Sequence, residues 1–297
     1  MPKAATNGVE LEYECTGPEG GPPLLLVGGL GVQIISWTKT FVGALADRGF
    51  RVIAYDNRDI GLSTKHDDWG PADIKAAFAQ ARSKQKVESP YALEDMADDA
   101  AGLLDALGIG KAHIVGSSNG GAIAQTLAIR HPDKIATMVS IMATSGRRGL
   151  PRPQGEVAEW LARPRNPAGT REGAMEEAIS TSHLIGSPGF PRDEDEIRDR
   201  AARLYDRCFY PAGAGRQLLA SIASGDGRVD RLGEIAAPTL VIHGREDPLV
   251  DLACAEDVQK SIPGAEILVI DGMGHDYPDG AVPRIAAAIL NHTKRPA

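Results

Sequence analysis

The segment VGSSNGGAIAQ, Val115–Gln125, joins a short apolar run to an amphipathic segment. The run Ala112–Gly116 predicts a buried strand, and the residues after the segment predict a helix that ends near Pro132. Only a register centred on Ser118 places glycine at both flanking positions of the pattern G-x-S-x-G. A serine on such a strand-to-helix turn is typical of an exposed nucleophile, so Ser118 rather than Ser117 is the predicted nucleophile.

Buried strands alternate with helical segments on both sides of this turn. The other predicted strands are Pro22–Gly28, Arg51–Asp56, IATMVSIMA, APTLVIHG and AEILVID. The predicted helices are about Trp37–Arg48, YALEDMADDAAGLLDALGI, GAIAQTLAIRHP and AVPRIAAAILNHT. Continuous apolar strands between helices indicate a parallel sheet covered on both faces, which is an α/β fold.

The alternation of strands and helices is interrupted after Thr144. The residues that follow are rich in Arg, Pro, Gly and Glu, and they carry helical patterns such as TREGAMEEAIST. We therefore expect an α/β core formed by residues 1–144 and 232–297, with a helical cap, residues 145–231, inserted between its two parts.

Composition limits the class of protein and its partners. The chain has 297 residues, of which 42% are hydrophobic and 24% charged, as in ordinary soluble globular proteins. Its net charge of −8 argues against nucleic acid or an anionic membrane as a partner. It has no apolar run that could span a bilayer, no apolar signal-peptide core, and three widely spaced cysteines. We expect a cytoplasmic monomer or homodimer that binds a small molecule and does not insert into membranes.

His275 is the predicted general base. It lies in VIDGMGHDYP, just beyond the last predicted strand, at the sheet edge that also carries Ser118. His243, within the run LVIHG, competes with it but is expected to be a core or turn residue. The remaining histidines occupy a strand, a helix end, polar segments or the C-terminal tail: His113, His131, His66, His183 and His292.

Asp247 is predicted to orient this base. It follows the preceding strand in HGREDPLV, where a short carboxylate can reach the neighbouring loop. Glu246 and Asp251 are read as solvated charges. Ser118, Asp247 and His275 each follow a strand, in the chain order expected of one fold. The histidine and cysteine spacings predict no zinc site, and this chemistry requires no metal or organic cofactor.

The sequence resembles the α/β-hydrolase superfamily over nearly its whole length. LLLVGGLGVQIISW resembles the family's oxyanion loop, and YDNRDIGLS resembles its D-x-R-x-x-G-x-S turn, in which Asp56 and Arg58 are expected to tie the loop. This turn, the PTLVI strand and the GMGH loop are most similar to aclacinomycin methylesterase and serine-dependent macrolide esterases. The resemblance implies an α/β-hydrolase fold, with a mostly parallel central sheet, helices on both faces and an inserted helical cap.

Two backbone N–H groups are predicted to bind the oxyanion. That of Asn119 lies at a helix N-terminus, where the helix dipole favours negative charge. The resemblance implies that the second belongs to Leu30, within the GLG sequence at 29–31. Two positions depart from the family pattern. Asn119 places an amide side chain near the oxyanion hole, and Gly28 replaces a common His or Met, which predicts a freer loop.

These residues predict a serine carboxylic-ester hydrolase that works through an acyl-enzyme. The resemblance implies a bulky natural-product methyl ester or a macrolide-like lactone as substrate. Two other hypotheses stay open: the same site could hydrolyse C–C bonds or carry out cofactor-free perhydrolysis, or the protein could bind a small molecule without catalysis. Dehalogenases and epoxide hydrolases of this fold are disfavoured because they carry aspartate at the position of Ser118.

The cap is expected to lie directly over Ser118, because the insertion leaves the core at the same sheet edge. Its aromatic residues are candidate substrate contacts: Trp160, Phe190, Tyr205, Phe209 and Tyr210. Since the predicted catalytic groups all lie outside it, the cap is expected to decide which substrate is cleaved rather than whether cleavage occurs.

Overall fold

The computed structural model describes residues 1–163 and 169–295. The predicted cap and the predicted second part of the core include residues 164–168 and 296–297, which lie outside the described residues. The strands are β1 (Lys3–Thr6), β2 (Val9–Thr16), β3 (Pro23–Val27), β4 (Arg51–Tyr55), β5 (Ala112–Ser117), β6 (Ile135–Ile141), β7 (Thr239–Gly244) and β8 (Glu266–Ile270).

Ten α-helices accompany these strands in the described part of the chain. They are α1 (Lys39–Ala46), α2 (Ile74–Arg82), α3 (Leu93–Ala106), α4 (Asn119–Arg130), α5 (Gly155–Ala162), α6 (Arg171–Ile185), α7 (Glu194–Arg207), α8 (Pro211–Ser224), α9 (Leu252–Ser261) and α10 (Val282–Thr293). Short 3-10 helices cover Ile34–Ser36, Asp67–Trp69, Pro132–Lys134 and Val229–Glu234. None of the helices in residues 1–163 and 169–295 combines the length and apolar character needed to cross a membrane.

All eight strands form one sheet, in the order β1-β2-β4-β3-β5-β6-β7-β8. The strands from β4 to β8 are parallel, which confirms the predicted α/β class. The hairpin β1–β2 and its antiparallel pairing with β4 were not predicted. Its turn is Asn7-Gly8, and both residues have positive φ (44° and 77°), as a two-residue hairpin turn requires.

The sheet is covered by helices on both faces, as predicted. Along β3, Leu25 faces the cluster that contains α3, α4 and α9, whereas Leu24 and Leu26 face the cluster that contains α1 and α10. Side chains of successive strand residues point to opposite faces, so a strand buried on both sides must be continuously apolar. The carboxyl ends of β5, β7 and β8 consequently meet at one edge, where the loops that carry Ser118, Asp247 and His275 emerge.

Helices α5–α8 lie within the predicted insertion, between β6 and β7. Helix α6 packs against α7, and α8 packs against α2. Helix α2 was not predicted, because its segment is short, with nine residues, and Ala77 is its one buried residue. The inserted helices and α2, from the first part of the chain, therefore cover the predicted site together.

Candidate active site

Ser118 lies on a strained turn between β5 and α4. Its backbone has φ 53° and ψ −120°, a conformation that non-glycine residues rarely adopt. Its N–H donates to the carbonyl of Ile141 at 2.8 Å, which ties the turn to β6. A Cβ on Gly116 would lie 2.2 Å from the Gly120 carbonyl oxygen, and one on Gly120 would lie 2.0 Å from that of Val27. The close backbone approach therefore explains both glycines of the motif.

The structure brings the three predicted residues into one hydrogen-bonded row. His275 Nε2 lies 3.0 Å from Ser118 Oγ, and His275 Nδ1 lies 2.7 Å from Asp247 Oδ2. The other carboxylate oxygen of Asp247 accepts from the N–H groups of Leu249 and Val250, each at 2.9 Å. Asp247 is thus fixed by its own turn and can orient the imidazole so that Nε2 faces the serine.

His243 occupies a different position from His275. Its side chain is fully buried, and Nε2 lies 2.7 Å from the carbonyl oxygen of Val250. Nε2 is also 3.6 Å from Asp247 Oδ2. Burial lowers the pKa of His243, and the nearby Asp247 carboxylate opposes this only in part. A neutral imidazole that faces a backbone carbonyl is a structural residue of the Asp247 turn.

The predicted oxyanion loop lies beside the nucleophile. A Cβ on Gly29 would come within 3.2 Å of Ser118 Cβ, and Leu30 lines the cavity above Ser118. In the described part of the chain, the N–H groups of Leu30 and Asn119 have no hydrogen-bond acceptor. Both groups thus lack a protein acceptor among the described residues, as the donors of an oxyanion hole must.

The expectation that Gly28 loosens this loop is wrong. A Cβ on Gly28 would lie 2.9 Å from Val32 Cγ1, so Val32 fills the space of a larger side chain. The Gly28 carbonyl accepts from Asn57 Nδ2 at 3.1 Å. The N–H of Gly31 donates to Gln217 Oε1, on α8, at 3.0 Å. The loop is therefore held from both sides.

The Asn119 amide, which is expected to add polarity near the oxyanion hole, bonds to α8 through one of its two polar atoms. Its Oδ1 accepts a hydrogen bond from Ser221 Oγ, on α8, at 2.8 Å. The side chain is buried and is absent from the described cavity lining. The amide therefore joins α4 to a cap helix.

The turn YDNRDIGLS anchors several elements. Asp56 accepts from the N–H of Ile34 at 2.7 Å and of Leu62 at 2.8 Å, and it pairs with Arg207, on α7, at 2.7 Å. The room for this carboxylate depends on Gly61, where a Cβ would lie 1.9 Å from Asp56 Oδ2. Asp56, which is expected to tie its own loop, thus also binds the oxyanion loop and the cap.

Two buried ion pairs complete this anchor. Arg58 binds Asp99 through two hydrogen bonds of 2.6 and 2.7 Å. Arg216, on α8, binds Asp59 in the same way at 2.7 and 2.8 Å. Burial opposes ionisation of Asp59, but the hydrogen bonds and charge of Arg216, together with hydrogen bonds from the His66 N–H and the Tyr91 hydroxyl, outweigh it and lower the pKa of this carboxyl. Asp59 was not predicted as an anchor of the cap.

A cavity of about 1320 Å³ opens above Ser118 and His275. Four of the predicted cap contacts line it: Trp160, Tyr205, Phe209 and Tyr210. Residues at the start of α2, Asp73–Lys75, also belong to its wall and were not predicted. Its volume exceeds the range of roughly 300–1,000 Å³ that is usual for small-molecule sites.

The prediction that Phe190 contacts the substrate is corrected, because Phe190 is absent from the described lining of this cavity. Its ring lies against Gly280, where a Cβ would come within 2.9 Å of Cδ1, and it packs on the core cluster beside α10. The path of the loop between α6 and α7 carries it away from the pocket. Tyr210 does line the cavity, and Trp37 and Tyr277 add aromatic walls from the core.

Comparisons with known proteins support the fold and the hydrolase class. The family model of the alpha/beta hydrolase fold matches residues 22–278. Rhodomycin D methylesterase DauP of Streptomyces sp. (strain C5) is 31% identical over 306 aligned positions, which cover 96% of this chain and 95% of the relative.

Two further similarities involve hydrolases. The 2-hydroxy-6-oxononadienedioate/2-hydroxy-6-oxononatrienedioate hydrolase of Burkholderia vietnamiensis (strain G4 / LMG 22486) is 27% identical, with 91% of this chain and 86% of the relative covered. The structure of a thermophilic esterase from Thermogutta terrifontis, with malate bound, superposes with a TM-score of 0.69 and 26% identity. That match covers 98% of this chain and 96% of the esterase.

Proposed function

Because this hydrolase belongs to the α/β-hydrolase fold family, we propose that it is a serine carboxylic-ester hydrolase with Ser118 as its nucleophile. The observation that carries the proposal is the distance of 3.0 Å between Ser118 Oγ and His275 Nε2, with Asp247 bound to the other ring nitrogen. A serine hydroxyl is a weak nucleophile unless a positioned base accepts its proton. The row of three side chains supplies that base and its orientation.

The proposed reaction has two halves. Ser118 Oγ attacks the ester carbonyl carbon while His275 Nε2 accepts the serine proton, and the N–H groups of Leu30 and Asn119 bind the oxyanion. His275 then donates this proton to the leaving alcohol, which leaves an acyl group on Ser118. In the second half, water attacks the acyl carbon, again with His275 as the base, and the acid is released. Asp247 stabilises the imidazolium that forms in each half.

We propose that the substrate is a bulky, largely apolar ester or lactone. A cavity of about 1320 Å³ is far larger than a short-chain ester needs, and its walls include several aromatic rings, such as Trp37, Trp160 and Phe209. The 31% identical relative is named as a methylesterase of rhodomycin D. The helices α5–α8 of the predicted cap would bind the part of the substrate remote from the ester, while the ester itself lies at Ser118.

The experiment is a burst assay with p-nitrophenyl acetate, followed by a panel of polycyclic methyl esters and macrolactones. Wild-type protein should release one equivalent of p-nitrophenol rapidly, or turn over steadily, and Ser118→Ala should do neither. At least one bulky ester should have a higher kcat/KM than the acetate. No release by wild-type protein, or equal release by Ser118→Ala, would reject the proposal.

Hydrolysis of a C–C bond is the second candidate, supported by the 27% identical dienedioate hydrolase. The same serine, histidine and oxyanion donors could cleave a carbon–carbon bond next to a carbonyl group. A vinylogous 1,5-diketone belongs in the substrate panel for this reason. Turnover of the diketone at a higher kcat/KM than every ester would favour this reaction.

A further inference from the structure

The loop between α6 and α7, Gly186–Asp193, packs on the loop that carries His275. We call the residues 271–276 the His275 loop. The N–H of His275 donates to the carbonyl of Ile185, the last residue of α6, at 2.7 Å. The N–H of Gly189 donates to the carbonyl of Gly272 at 2.9 Å. The cap therefore bonds directly to the backbone of the predicted base.

Glycines allow these two loops to approach closely. A Cβ on Gly189 would lie 2.4 Å from Gly272 Cα, and one on Gly274 would lie 2.4 Å from the carbonyl oxygen of Gly186. Any side chain at these positions would push the loops apart. Both glycines of the GMGH motif thus serve the contact with the cap, which is a physical reason for a motif that the proposed chemistry alone leaves unexplained.

Ser187 is the one side chain of the α6–α7 loop that bonds on both sides of His275. Its Oγ accepts from the N–H of Gly274 at 2.9 Å and donates to Asp276 Oδ1. Ser187 is only 4% exposed. Its hydroxyl therefore spans the residues before and after His275 in a place where water competes little for these bonds.

The core holds a different part of the same loop. The N–H of Gly272 donates to Glu246 Oε2 at 2.6 Å, and the Met273 carbonyl accepts from the N–H of Glu246 at 3.1 Å. The core thus bonds the N–H of Gly272 and the carbonyl of Met273, whereas the N–H groups of Gly274 and His275 donate to the cap. Asp247 holds the imidazole through Nδ1, and the cap holds the backbone from which this side chain projects.

We propose that Ser187 is a positioning residue for His275, so that the cap helps to set the rate of catalysis as well as the choice of substrate. This inference rests on the proposed function, in which His275 is the base. A hydrogen bond of 3.0 Å to Ser118 depends on the position of the imidazole, and a misplacement of about 1 Å can cost on the order of 100-fold in rate. This proposal departs from the expectation that the cap decides only which substrate is cleaved, and that expectation stays a prediction.

The test compares Ser187→Ala and Ser187→Cys with wild-type protein, using p-nitrophenyl acetate. This short ester barely reaches the cap, so lost substrate contacts cannot explain a change. Cysteine nearly keeps the volume of serine but is a weak donor and acceptor. The matched control is Ser182→Ala, because the Ser182 hydroxyl donates only to the Ile179 carbonyl of its own helix, at 2.8 Å.

We expect kcat to fall roughly 10- to 100-fold in both Ser187 variants with little change in KM, and the control to match wild type. The low-field proton NMR signal of His275 Nδ1–H, bound to Asp247, should broaden or shift in the Ser187 variants. A merely structural role would lower the melting temperature and leave kcat and this signal unchanged in the folded protein. If Ser187→Ala does not fold, Ser187→Cys alone decides between these outcomes.

Wild-type kcat in either folded Ser187 variant would overturn the inference, and so would a fall in kcat with an unchanged Nδ1–H signal. Ser118→Ala is measured in parallel. If Ser118→Ala is inactive while the Ser187 variants match wild type, the inference fails and the proposed function stands. If Ser118→Ala matches wild type, the proposed function fails.

Discussion

The backbone N–H of Gly31, beside the nucleophile, donates to Oε1 of Gln217, on cap helix α8, at 3.0 Å. The Gln217 amide also donates to the Arg58 carbonyl at 2.9 Å, and the residue is fully buried. One cap side chain therefore joins the loop of Leu30 to the turn that anchors α8.

Gln217→Met should consequently reduce both stability and rate. It leaves the part-buried N–H of Gly31 and the buried carbonyl of Arg58 without partners, so the free energy of unfolding should fall by about 1–3 kcal/mol. Freedom gained by the Gly31 segment should lower kcat even for p-nitrophenyl acetate. Denaturant unfolding and steady-state kinetics measure the two effects.

The control for this variant is Gln259→Met on α9. The Gln259 side chain donates to the Ala265 carbonyl at 2.9 Å, far from the oxyanion loop. The Gln259→Met variant should have a lower free energy of unfolding and an unchanged kcat. Wild-type kcat in folded Gln217→Met would contradict a role for this contact in catalysis.

Substitutions of the two histidines near Asp247 should have very different effects on kcat. His275→Gln should lower kcat by roughly 10⁴- to 10⁶-fold, because it removes the base that contacts Ser118. His243→Gln should keep most of the turnover, since His243 Nε2 faces the Val250 carbonyl rather than the serine. Steady-state kinetics with one short ester checks both, and the reverse pattern would refute the assignment of the base.

Stability should fall in mild acid. Burial lowers the pKa values of His113, His243 and His292, so these residues are held neutral in the folded protein. The unfolded chain binds protons at these sites below its own pKa of about 6.5. The contribution of these neutral histidines to the free energy of unfolding is therefore complete above that pH, and it is lost progressively as the pH falls below it.

Urea unfolding at pH 7.5, 6.5 and 5.5 measures this effect. The titration of the fully buried His243 can change the free energy of unfolding by at most about 1.4 kcal/mol per pH unit. His243→Gln should show a shallower pH dependence than wild type over this range. The pKa of Asp59 is also lowered, but this carboxyl stabilises the fold until the pH is well below the range measured. It therefore does not affect the comparison of wild type with His243→Gln. Equal slopes for both proteins would contradict the prediction.

Substrate choice should respond to the aromatic cavity wall. Trp160→Ala and Phe209→Ala each remove contacts from the cap side, worth roughly 1–3 kcal/mol of discrimination, or about 10- to 200-fold in relative kcat/KM. The measurement is the ratio of kcat/KM for a polycyclic methyl ester to that for p-nitrophenyl acetate. Phe190→Ala is the matched control: its ring packs on the core, so stability should fall while this ratio stays constant.

Local patterns in the sequence were sufficient for much of this site. Ser118 follows from glycine spacing at a strand-to-helix turn, and Asp247 and His275 follow from their places after β7 and β8. A parallel sheet brings such positions to one edge regardless of their separation in the chain. The Asn7-Gly8 turn was also a readable signal of the β1–β2 hairpin.

Other features depend on how distant loops meet. Ser187 and Gln217 look like ordinary helix or loop residues in the sequence, and only the fold places them against Gly274 and Gly31. Phe190 has the same aromatic character as Phe209, yet the path of its loop turns it toward the core. Helix α2 is short, packs against α8 and contributes its first residues to the cavity wall, so its place depends on elements far away in the chain.

The identity of the nucleophile is the central claim, and mapping the acyl group tests it most directly. Wild-type protein is mixed with p-nitrophenyl acetate, quenched in acid during the burst, digested and analysed by tandem mass spectrometry. The acetyl group should be on Ser118 in wild type and in Ser117→Ala, and it should be missing in Ser118→Ala. Acetylation of Ser117, or an unchanged burst in Ser118→Ala, would contradict the account.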